Sequence, residues 1–154
     1  MKPFKFSLDS VVLVRELELK RAEAAYGEKS RKRAELEEKL DAAKHLLADL
    51  LASISKGREK PFHGPDQHFF RIAELDRKNE VMRLQNHVDT ARTDERRALH
   101  QYLQIKSGLE KLLEIKERNY REHVKNEMLR EEKQIEEIIN ARYRNPQTHD
   151  RSSR

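Results

Sequence analysis

Residues 36–66 read LEEKLDAAKHLLADLLASISKGREKPFHGPD, and they contain both a helix stripe and its abrupt end. Leu36, Leu40, Ala43, Leu47, Leu50 and Ile54 follow one another in alternating steps of four and three. Side chains at that spacing share one face of an α-helix, in the pattern that seats one helix against another in a coiled coil. The stripe then meets Gly57, Pro61, Gly64 and Pro65. Two glycines and two prolines in so short a stretch cannot continue a helix. Gly64-Pro65 reads as an N-cap and first helical position, where the missing proline N–H costs nothing. One short connection between two helices favours antiparallel neighbours.

Towards the N-terminus the same phase runs back through Arg33, Lys29, Tyr26, Ala22, Leu19, Arg15, Val12 and Leu8. Arg15, Lys29 and Arg33 are the polar interruptions; their stems can lie along the seam while the charged heads reach water. Ser7 is a suitable N-cap, with Phe6 and Val11 at the hydrophobic-staple positions. Beyond the bend, Val81, Leu84, Val88, Ala91, Glu95, Ala98, Tyr102, Ile105, Leu109 and Leu112 keep heptad spacing. The stripe then slips to Leu109, Leu113, Glu117, Tyr120, Val124 and Met128, an eleven-residue repeat that unwinds a left-handed supercoil. Asn145-Pro146 ends the pattern.

The sequence thus predicts an all-α fold, two long helices forming an antiparallel coiled-coil hairpin. The helices are expected at about 7–56 and 66–143 with the bend at 57–65, making one domain over 1–144 and a disordered basic tail over 145–154. If residue i faces roughly residue 123 − i, Leu8 lies near Ile115 and the second helix outruns the first by about 25–30 residues. Tyr120, Val124, Met128, Ile135, Ile138 and Ile139 then form a stripe on a helix without an intramolecular partner. A partner surface or self-association accounts for it more simply than the alternative, a tail folded back on the stripe.

Composition narrows the function classes. Of 154 residues, 40% are charged and 36% hydrophobic, too few apolar side chains for a thick core. The near balance of 33 basic and 28 acidic residues, alternating along the helices, reads as the solvated surface of a rod rather than a nucleic-acid platform. Cysteine is absent, which fits a reducing compartment and removes thiolate metal sites. The seven histidines form no ligand spacing, and the four glycines lie too far apart for a phosphate loop. No catalytic residue, metal or cofactor is expected, nor a membrane span or signal peptide; the reading is a soluble cytoplasmic protein that touches other proteins. Near the bend, Phe62, Phe69, Phe70, Ile72 and Leu75 exceed what two helices can bury. Phe69 and Phe70 are neighbours and cannot both face the seam, so one is left as an anchor for a partner.

The opening Phe4-Lys5-Phe6-Ser7-Leu8-Asp9-Ser10-Val11-Val12-Leu13-Val14-Arg15 resembles the start of the flagellar export protein FliJ family, which commonly runs Phe-x-Phe-x-Leu, a Val-Leu-like pair, then Arg. Phe4, Phe6, Leu8, Val11 and Arg15 match in type and spacing, while Val12 stands where Leu is usual and Leu13 where a polar residue is common. The resemblance implies a non-catalytic part of the type III export apparatus, a stalk linking the hexameric export ATPase to the membrane-embedded export gate. Export chaperones would be further partners. It places Phe4, Phe6, Leu8 and Arg15, with Tyr120, Val124 and Met128, at the ATPase end. Phe62, Phe69, Phe70 and Leu75 fall regionally at the gate end. The alternatives are the equivalent stalk of a virulence-type secretion system and a generic coiled-coil scaffold.

Overall fold

In the computed structural model, which describes residues 2–61 and 64–144, two helices account for nearly all of the described residues. Helix α1 spans Asp9–Gly57 and helix α2 spans Gly64–Arg144. They pack as an antiparallel hairpin, with α2 the longer at 81 residues against 49. Phe62, expected at the gate end, and residues 145–154, expected as a basic tail, lie outside the described residues.

Each helix boundary has a local cause. The backbone N–H of Asp9 donates to the Phe6 carbonyl at 3.2 Å, and Val12 to Leu8 at 3.0 Å, so the first helical bond closes one residue later than a Ser7 cap would give. Termini shift by a residue or two with the geometry of the entering chain, and here that chain is non-helical up to Phe6. At the other end α1 tightens instead of turning left-handed. Glu59 donates to the Lys56 carbonyl and Lys60 to that of Gly57, both at 3.3 Å, in two successive i→i+3 turns. No described residue has a positive φ. Pro61, which has no N–H to donate, then breaks the ladder. Gly64 and Pro65 open α2 in its first turn, where unpaired N–H groups are inherent.

The residues gather into two compact units, one made of Leu17–Lys106 and the other of Met1–Glu16 with Ser107–Arg154. In the first, Leu40, Ala43, Leu84 and Val88 form the buried cluster, with Leu36 and Val81 packed on it. All six lie on the stripes expected from the sequence. Only Val88 is wholly enclosed, because two helices cover each other along one line and leave the flanks wet. Closer to the unit's other end, the rings of Tyr26 and Tyr102 stack at 6.5 Å between centroids and 14° between planes.

Arg33, one of the seam interruptions, does more than reach for water. Its Nε donates to Oε2 of Glu95, itself a stripe position on α2, and its Nη1 donates to Oε2 of Glu37 at 2.7 Å. Glu37 also accepts from Arg92 at 2.9 Å. Two polar seam residues on opposite helices therefore face and satisfy each other, which ties the register of α1 against α2. The bond to Glu95 foremost holds the Arg33 guanidinium above its ordinary pKa, and the bond from Arg92 foremost holds the Glu37 carboxyl below its own. The paired positions also set the fold-back a few residues later than expected: Tyr26 meets Tyr102 and Arg33 meets Glu95.

Candidate partner-binding surfaces

The unit containing the N-terminus is built differently from a coiled coil. Lys2–Phe6 is outside any helix, and its contacts run from Glu127 back to Lys116, about 16 Å of α2 for four residue steps, so the segment is stretched out along side chains that α2 presents at helical spacing. Lys2 donates its backbone N–H to Oε2 of Glu127 at 3.2 Å, and its carbonyl meets Nε2 of His123 at 2.9 Å. The Phe4 ring stands edge-on to Tyr120 at 5.4 Å and tilted against His123 at 5.5 Å. Phe6 is buried, with the Lys116 ammonium 5.9 Å from its centroid, and Lys116 also pairs with Asp9 at 2.6 Å. An extended segment has backbone groups that pair with no neighbouring strand here, so it needs polar side chains to dock on.

This docking explains where the eleven-residue slip went. From Leu109 the covered face of α2 continues through Leu112, Lys116, His123 and Glu127, whereas Leu113, Tyr120 and Met128 are exposed. The apolar stripe lies about 80° round the helix from the covered face, at 100° per residue. Covering also reaches farther than a helical partner would allow. An extended chain advances about 3.3 Å per residue against 1.5 Å in a helix, so five residues span more than two turns of α2. The uncovered part of α2 therefore begins at Met128, leaving 17 described residues rather than the expected 25–30.

Glu127 is the most enclosed charged side chain described. It accepts from Lys2 and pairs with Arg130 at 2.7 Å. The Lys2 backbone bond, more than Arg130, holds its carboxyl below the ordinary value, against an opposing push from burial.

The residues expected at the ATPase end thus divide. Phe6 is buried and Phe4 half-buried within the unit, Leu8 is partly open, and Arg15 is exposed and engaged. Tyr120 and Met128 are exposed, with Val124 half-buried between them, and all three line a shallow groove on α2 with Leu129 and Glu132. Beyond it Ile135, Ile138, Ile139 and Tyr143 are open to solvent. Sequence reading missed Lys2, Lys116, His123 and Glu127. The available signal was the unbroken heptad phase, which carries from Leu112 onto Lys116 and His123 but finds no apolar residue there.

At the bend, within the other unit, Phe69 is 71% exposed while Phe70 is half-buried beside Ile54 and Arg58. The adjacent rings take opposite roles, as their spacing requires. Ile72, Leu75 and Met82 are exposed too and fall on the side of α2 away from Leu84 and Val88, with Phe69 on the flank between. Ile72 and Leu75 line a second groove with His68 and Lys78.

Among the described residues no three His, Asp or Glu side chains come together as metal ligands, and no helix is long and apolar enough to cross a membrane. Compared with known proteins, the chain matches no family model, no curated protein and no solved structure.

Proposed function

We propose that this protein is a non-catalytic, cytoplasmic component of the flagellar type III export apparatus, a helical stalk that links the hexameric export ATPase to the export gate and promotes ATPase assembly and export. One observation carries the reading. The Phe-x-Phe-x-Leu segment that resembles the FliJ opening lies in the same compact unit as the exposed stripe from Tyr120 to Ile139. The resemblance-bearing residues and an apolar surface in search of a partner are thus neighbours. The exposed Phe69, Ile72 and Leu75 supply a second surface suited to the gate. Both surfaces are open, shallow helix faces, which fit a protein that acts by contact. A single asymmetric hairpin in a ring of subunits biases their conformations through unequal contacts, and this needs no reacting group.

The test is co-purification with a hexameric export ATPase at low salt, together with a hydrolysis assay. The full chain should bind and raise hydrolysis, and removal of residues 1–15 should weaken both. Absence of binding by the full chain overturns the assignment. Stronger binding to a virulence-type ATPase than to the flagellar one would make the chain that system's stalk.

A further inference from the structure

The exposed end of α2 has a pattern that makes it complementary to itself. At 100° per residue, Tyr120, Val124, Met128, Glu131, Ile135 and Ile138 fall within an arc of about 80°. Glu117 and Arg142 extend the same line at its two ends. Met128 is 54% exposed, Ile135 and Ile138 are each 57%, and Ile139 beside them is 47%. From the centre of this line, beside Leu129, the positions recur at nearly equal distances in both directions. Turned end for end, the line sets Val124 against Ile135, Tyr120 against Ile138 and Met128 against Glu131. It also sets Glu117 against Arg142.

The flank carries the same symmetry in charge. Arg121 and Lys125 lie on one side of the stripe in its first half, and Glu132 and Glu136 lie on that same side in its second half. In an antiparallel pair of helices like flanks meet head to tail, so Arg121, whose exposed pair with Glu117 at 3.0 Å is weak enough to exchange, reaches Glu136 of the other copy, and Lys125 reaches Glu132. A parallel pair would instead bring Glu131 against Glu131 and Arg142 against Arg142. From this we propose that the stripe binds a second copy of this chain, antiparallel, about a two-fold axis beside Leu129. Such an interface is isologous and closes on itself as a dimer. Glu131, facing Met128 at the centre, keeps the pairing reversible and fixes its register, as a polar residue in a coiled-coil seam does. The pairing rests on α2 alone and does not depend on the proposed export role.

Sedimentation equilibrium of the full chain tests it. The chain should show a reversible monomer–dimer equilibrium, tightened by Glu131→Leu. Exchanging Arg121 and Lys125 for Glu should weaken the dimer about tenfold by setting like charges together. Adding Glu132→Lys and Glu136→Lys to that variant should restore it. A chain that stays monomeric at the highest soluble concentration overturns the proposal, and so does a failure of the four-fold exchange to restore pairing. Orientation is read separately by cysteine, since the chain has none of its own. Met128→Cys, near the axis, should oxidise to a covalent dimer. Tyr143→Cys should not, because its two copies would lie about 40 Å apart along the helices. Equal cross-linking at both positions would mean a parallel pair and overturn the proposal. Circular dichroism of each variant separates loss of pairing from loss of helix.

Discussion

Glu127 and Lys2 are 125 positions apart in the chain and joined by one hydrogen bond. The Glu127 carboxyl is held below its ordinary value by that bond first and by Arg130 next. A carboxyl lowered in the folded state contributes stability that is present above its unfolded pKa and lost as pH falls through its folded one. Acidification below the ordinary carboxylate range should therefore release the N-terminal segment. The Phe4 ring resonances, shifted at neutral pH by Tyr120 and His123, should move to free-chain positions along that fall. Glu127→Gln should show part of the same shift already at pH 7. Ring resonances indifferent to both changes would mean that the segment is held by Phe4 and Phe6 alone.

At the scale of the helices, stability and exposure sort by face. Leu84 lies in the buried cluster, and Leu75 on the outward side of the same helix. Leu84→Ala should cost about 2–4 kcal/mol, since the facing Leu40 and Ala43 cannot collapse fully into the space. Leu75→Ala should change stability by no more than about 0.5 kcal/mol. Thermal melts followed by circular dichroism compare the two, and equal losses would contradict the seam. This is the part that the sequence made legible: Leu36, Leu40, Ala43, Leu84 and Val88 could be read from period alone, because a heptad stripe has one way to be buried. The N-terminal docking was not legible in the same way. Lys116, His123 and Glu127 are polar, and hydrophobic period has no term for a side chain buried because it satisfies an extended backbone. Arg33 and Glu95 were visible as stripe members, but their mutual bond needs the fold-back to within one residue.

For the whole molecule, the decisive feature is that α2 continues uncovered past Glu127. Removing residues 132–154 keeps Arg130 on Glu127 and takes away no buried residue among those described. The melting midpoint should move by no more than a few degrees, while self-association and ATPase binding should both be lost. A large drop in the midpoint would show that the stripe is covered within the chain. If the same stripe serves a second copy and the ATPase, the two compete, and dimerisation holds free chains out of the ring until the ATPase displaces one copy.

The stacked tyrosines have a practical consequence. The chain has no tryptophan and four tyrosines. Tyr26 and Tyr102 sit ring on ring in one compact unit, Tyr120 meets Phe4 in the other, and Tyr143 is 80% exposed. The near-ultraviolet signal of the unlabelled protein therefore carries an internal optical gauge for each unit, with Tyr143 as the solvent-exposed reference. Replacing both Tyr26 and Tyr102 by Phe silences one gauge, and replacing Tyr120 silences the other. Unzipping of the helices and release of the N-terminal segment can then be timed separately, without attaching a dye.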